Sequence, residues 1–99
     1  MENLRTKEVE DLLKVFSSID DENTVFALLE DLFTIREIKE TSQRLSVARL
    51  LDAGKPYTSI ETTTGASATT IARVSKSLNY GSGGYRFALD ILKGDEESR

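Results

Sequence analysis

A chain of ninety-nine residues with a formal charge of −4 suits one small domain. A domain this short buries a limited share of its surface, so oligomerisation is expected. With neither Cys nor His, disulfides, thiolate nucleophiles, the common zinc sites and the usual general base are excluded, which argues against an enzyme and calls for no cofactor. No stretch approaches the roughly 18 apolar residues of a membrane span, and no signal peptide opens the chain, so a cytoplasmic location is expected.

Apolar spacing is helical almost throughout. Val9, Leu12, Leu13 and Phe16 form one face of a first helix, about Thr6 to Ser18. Asp20-Asp21-Glu22-Asn23 is a break and an N-terminal cap. Val25, Phe26, Leu28, Leu29, Leu32 and Phe33 make a second helix, very apolar for its length. That excess fits either burial against another subunit or an ordinary core.

Thr34 and Glu37 form a capping box that opens a long third helix to about Ala53. Gly54 is its C-cap, and Pro56 forbids continuation. Thr58 and Glu61 predict a second capping box, opening a short fourth helix. Gly65 is the turn, and Ser67 caps a fifth helix to about Asn79. Gly81 to Gly84 is a loop. A last helix is expected over Tyr85 to Lys93, with Phe87, Ala88, Ile91 and Leu92 inward and Gly94 at its end. The organisation is one domain over 1–94, with a frayed acidic tail over 95–99.

Charge is unevenly placed. Residues 1–54 hold 7 basic and 12 acidic side chains, a balance of −5. Residues 55–86 hold Lys55, Arg73, Lys76 and Arg86 against Glu61 alone, a balance of +3. The remainder carries −2. The only basic block thus coincides with the short helix pair at about 57–79, whose spacing resembles a helix-turn-helix, the alternative being a two-helix packing hairpin with a Gly turn. Ile60 precedes Gly65, and Ile71, Val74 and Leu78 follow it, so the apolar residues clamp the two helices together. Thr69, Thr70, Arg73, Lys76 and Ser77 are left on or near the outer face. Thr methyls and Ala68 suit thymine methyl groups, and Arg73 suits guanine or a phosphate. Lys76 divides between a phosphate contact and a solvated charge. The competing reading of Arg73 is a surface ion pair with Glu61 or another acidic neighbour.

The run from Leu32 to Arg86 resembles the Trp-repressor-like family, in its YerC/YecD subgroup. The resemblance is carried by Phe33-Thr34-Ile35-Arg36-Glu37, Gln43-Arg44-Leu45, Leu50-Leu51, Tyr57-Thr58-Ser59-Ile60, Gly65 through Val74, and Tyr80-Gly81-Ser82-Gly83-Gly84-Tyr85. It implies an all-α fold of about six helices, an intertwined homodimer, and sequence-specific binding of double-stranded DNA by the fifth helix. Carried onto matching positions, the DNA-facing residues are Thr58, Ala68, Thr69, Thr70, Ala72 and Arg73. Glu61 stands where Trp repressor has Lys. A carboxylate is repelled by phosphates, so Glu61 is left out of the contact set.

Trp repressor holds tryptophan between its long helix and its reading helix, with an Arg from each and a Ser at the amino group. By resemblance, the corresponding positions here are Arg44, Arg73 and Ser77, Arg44 matching only to within a residue. Val74 replaces the Gly beside the indole ring, and its isopropyl group fills that slot. Overpacking of this kind costs about 1–3 kcal/mol, or roughly one to two decades of affinity. The expectation is a homodimeric transcriptional regulator that does not respond to tryptophan and whose effector is unknown. The alternative from another class is a dimeric helical adaptor that binds a protein through its acidic N-terminal half.

Overall fold

The computed structural model describes residues 3–97 as six α-helices, with no strand among them. They are α1 (Lys7–Ser17), α2 (Glu22–Leu32), α3 (Ile35–Asp52), α4 (Tyr57–Thr64), α5 (Ala68–Tyr80) and α6 (Gly84–Glu97). The chain forms two compact units, one up to Ile38 and the other from Lys39 onward. No helix among the described residues is long and apolar enough to cross a membrane.

Short-range chemistry places most helix ends in the first unit. The Thr6 and Asp21 side chains accept the N–H groups of Val9 and Thr24, satisfying donors that the first turns of α1 and α2 leave over. The capping box at α3 is reciprocal: Thr34 Oγ1 accepts the Glu37 N–H at 3.1 Å, and Glu37 Oε1 accepts the Thr34 N–H at 2.9 Å. Those hydrogen bonds hold the Asp21 and Glu37 carboxyls below their ordinary values, because they favour the charged form. No residue of α1 or α2 is fully buried. Leu13, Val15, Phe26 and Leu32 of these helices remain exposed.

The second unit contains the buried core. Val47 and Ala48 of α3, Ile60 of α4, Ala66 of the turn, Ile71 and Val74 of α5, and Leu89 of α6 are buried together. Each fully buried Ile, Leu or Val contributes about 1.5–3 kcal/mol through lost apolar exposure. At the end of α3, Gly54 adopts φ 79°, the Lys55 N–H reaches the Leu50 carbonyl, and the Gly54 N–H reaches Leu51. That pair of bonds is a Schellman ending, as the glycine predicts.

Three expectations are corrected. Thr58 does not cap α4. Pro56 holds the N-cap position without a side-chain bond, and its carbonyl already accepts the Ile60 N–H at 3.1 Å. Thr58 therefore lies inside the first turn, where helical dihedrals prevent a capping role. The last helix buries only part of the face expected: Leu92 packs against the core and Ala88 is half-buried, but the other two residues are not. Phe87 and Ile91 are 70% and 54% exposed, whereas Leu89 is 1% exposed. Gly94 does not end that helix, which continues to Glu97. Glu96, in the added turn, is paired with Arg49 of α3. Residues 98–99 of the expected tail lie outside the described residues.

Candidate nucleic-acid interface

Two helices and a three-residue turn build the site. Gly65 adopts φ 75°, a left-handed conformation that costs other residues roughly 1–2 kcal/mol. Its N–H closes on the Glu61 carbonyl at 2.8 Å. The threonine run before it is held by local bonding: Thr62 Oγ1 donates to the Thr58 carbonyl and Thr64 Oγ1 to that of Ile60. These bonds give two of the three hydroxyls a local carbonyl partner. Thr64 Oγ1 also accepts the Ala66 N–H at 3.1 Å, carrying the chain through the turn.

Ser67 caps α5 as its sequence predicts. Its Oγ accepts the Thr70 N–H at 3.2 Å and donates to Thr70 Oγ1 at 3.1 Å. The first-turn N–H groups of Ala68 and Thr69 have no carbonyl within the helix to bond. They stand at the positive end of the helix dipole, the end suited to a phosphate.

Ile71 and Val74 point into the core with Ile60, and Leu78 is partly buried beside them, so the expected clamp is present. Ala68, Thr69, Ala72, Arg73 and Lys76 are exposed on the same helix, and Thr58 is exposed on α4. Thr70 is half-buried, its hydroxyl engaged by Ser67. Arg73 makes no ion pair or hydrogen bond with a described residue, so the competing pairing with Glu61 does not form; Lys76 is likewise unpaired.

Arg86 behaves differently from the rest of the basic block. Its Nη1 donates to Asp52 Oδ1 at 2.8 Å, and Lys93 Nζ donates to Asp52 Oδ2 at 3.0 Å. The usable positive charge of the block therefore narrows to Lys55, Arg73 and Lys76. Sequence reasoning missed this, since Asp52 lies 34 residues from Arg86.

The residues matched to a tryptophan site do not line the cavity that lies between α3 and the end of α4. That cavity, of about 560 Å³, is lined by Gln43, Ser46, Leu50 and Thr63 among others, without Arg44, Arg73 or Ser77. Arg44 is exposed and donates to Thr41 Oγ1 at 3.2 Å. Val74 is 2% exposed, its isopropyl group packed in the core. Among the described residues, no cluster of carboxylates could hold a metal ion.

The geometry defines a class: an all-α domain whose fourth and fifth helices form a helix-turn-helix. The chain belongs to the Trp repressor family, whose family model, described as Trp repressor protein, matches residues 7–93. It is 45% identical over 96 residues to the uncharacterised protein YerC of Bacillus subtilis (strain 168), spanning 97% of this chain and 92% of that one. The crystal structure of a TrpR-like protein from Eubacterium eligens ATCC 27750 superposes with a TM-score of 0.85 at 41% identity, covering 91% of this chain and 93% of that one. A candidate Trp repressor from Staphylococcus aureus superposes with a TM-score of 0.84 at 34% identity, covering 91% and 90%.

Proposed function

We propose that this chain is a homodimeric, sequence-specific DNA-binding regulator of transcription whose α5 enters the major groove. The observation that carries the reading is the outer face of α5. Ala68, Thr69, Ala72, Arg73 and Lys76 are exposed there, and neither cation pairs with an acid among the described residues. An unpaired Arg can make the bidentate contact to guanine that specifies a base, while Lys76 and the helix N-terminus position the backbone. Thr58 and Thr70 complete the proposed contact set. Family membership supports the same function.

Homodimerisation is supported by the apolar side chains of α1 and α2 that remain exposed. A helix face of that kind gains stability when a second subunit covers it. Two-fold symmetry then implies a roughly palindromic operator, one half-site per subunit. Val74 supports a regulator that does not use tryptophan, since an isopropyl group stands where the resemblance places the Gly beside the indole ring, and it is packed in the core. The protein is proposed to act in the cytoplasm, without catalysis.

Selection of bound duplexes from random DNA tests the function. Enrichment of a two-fold symmetric motif is expected. Recovery of no motif overturns the reading and favours a helical adaptor for a protein partner.

A further inference from the structure

We infer that Gln43 is a positioning residue of the reading pair, and that it contributes to sequence discrimination without touching DNA. This rests on the DNA-binding function proposed above. Gln43 lies on α3, and its Nε2 donates to the Thr64 carbonyl at 3.0 Å, across 21 residues of chain. Thr64 is the last residue of α4. Its carbonyl is one of those that a helix C-terminus leaves without a partner. A Cβ at Gly65 would stand 3.9 Å from the same Nε2, so the Gln43 amide lies directly over the turn.

The other hydrogen bonds of the turn are local. Thr64 Oγ1 to Ile60, Ala66 to Thr64 Oγ1, and Gly65 to Glu61 hold its shape but fix it to nothing outside the pair. Apolar burial also joins α3 to the pair. Val47, one helical turn beyond Gln43, is buried with Ile60, Ala66 and Ile71. Apolar contact is non-directional and permits small rotations at little cost, whereas a hydrogen bond weakens steeply with angle. The Gln43 amide therefore supplies a directional restraint between the long helix and the turn. Through that turn it sets where Ala68, Thr69 and Arg73 are presented. A bidentate base contact depends on such placement, while a phosphate contact tolerates a shift of the helix.

The test compares wild type with Gln43→Glu and Gln43→Met on two duplexes, the motif selected by wild type and an unrelated sequence of equal length. Glutamate keeps the shape of the side chain but turns a donor into a carboxylate facing a carbonyl. Methionine keeps the length and removes the donor, and it supplies the answer if the charged variant fails to fold. Affinity for the selected motif is expected to fall about tenfold, the scale of a lost hydrogen bond to a part-buried carbonyl. Affinity for the unrelated duplex and helical circular dichroism stay unchanged. A purely structural role would lower the melting temperature but leave the ratio of the two affinities intact in the folded protein. An unchanged ratio in both variants overturns the inference while leaving the DNA-binding function standing. A wild-type chain that selects no sequence overturns both.

Discussion

Asp52, at the end of α3, accepts one hydrogen bond from Arg86 at 2.8 Å and a second from Lys93 at 3.0 Å, binding α6 to the long helix. The Asp52 side chain is only 16% exposed, while Arg86 and Lys93 are about half exposed. The hydrogen bond from Arg86, reinforced by Lys93, holds the Asp52 carboxyl below the ordinary value of 3.8. A carboxyl depressed in the folded state stabilises the fold above its unfolded value and loses that effect as pH falls through the folded one. Asp52→Asn should therefore lower stability by about 1 kcal/mol at neutral pH, an amount set by partly screened pairing. Denaturation of both proteins from pH 7 downward checks this, and the difference should shrink once the pH drops below 3.8.

Arg73 and Lys76 should separate by the kind of contact each makes. Arg73→Ala is expected to cost about 1–3 kcal/mol on the selected motif and to relax discrimination at one base pair, with helical content intact. Lys76→Ala should weaken all duplexes alike and reduce the slope of affinity against salt by about one. Fluorescence anisotropy across a salt series distinguishes the two. Unchanged binding on loss of Arg73 would remove that residue from the interface.

Ser67→Ala removes the acceptor for the Thr70 N–H and the hydroxyl partner of Thr70. The expected cost is about 1 kcal/mol, typical of a lost N-cap. In urea the midpoint should fall with no change in slope, because the exposed surface on unfolding is the same.

Titration calorimetry with tryptophan should show no micromolar binding. Val74 is packed against Ile60 and Ile71 and would have to move to admit an indole ring. Micromolar affinity would sink the idea that the isopropyl group closes the slot.

Sedimentation equilibrium should give twice the chain mass of 11.0 kDa. Phe26→Glu, at an exposed apolar position of α2, should shift the protein toward monomer by placing a charge where the partner is expected to pack. A monomeric wild type at micromolar concentration would contradict the proposed assembly.

Features set by a few neighbouring residues were readable beforehand. The Thr34–Glu37 box, the Ser67 cap, the Gly54 ending and the Gly65 turn all depend on bonds spanning only a few positions. The clamp of Ile60, Ile71 and Val74 was equally readable, because helical spacing alone puts Ile71 and Val74 on one face of α5. The Thr58–Glu61 pattern misled because the same four-residue signature arises inside a helix once Pro56 has started it. Gly94 misled because its helix propensity, about 1 kcal/mol below that of Ala, is the only local signal. It does not register Glu96 paired with Arg49 on another helix.

The amino-acid sequence by itself determined the all-helical character, the turn geometry and the two faces of α5, since these follow from spacing and capping within a few residues. Tertiary structure alone decided which face of α6 is buried. Phe87 with Ile91 and Tyr85 with Leu89 are both four apart, and only the packing of α3 and α5 selects Leu89 for the core. It also decided which cations are paired. Asp52 reaches Arg86 and Lys93 only when α3 and α6 are brought together, while Arg73 and Lys76 of the reading helix pair with no acid among the described residues. Burial and ion pairing depend on partners distant in the chain, and no local pattern encodes them.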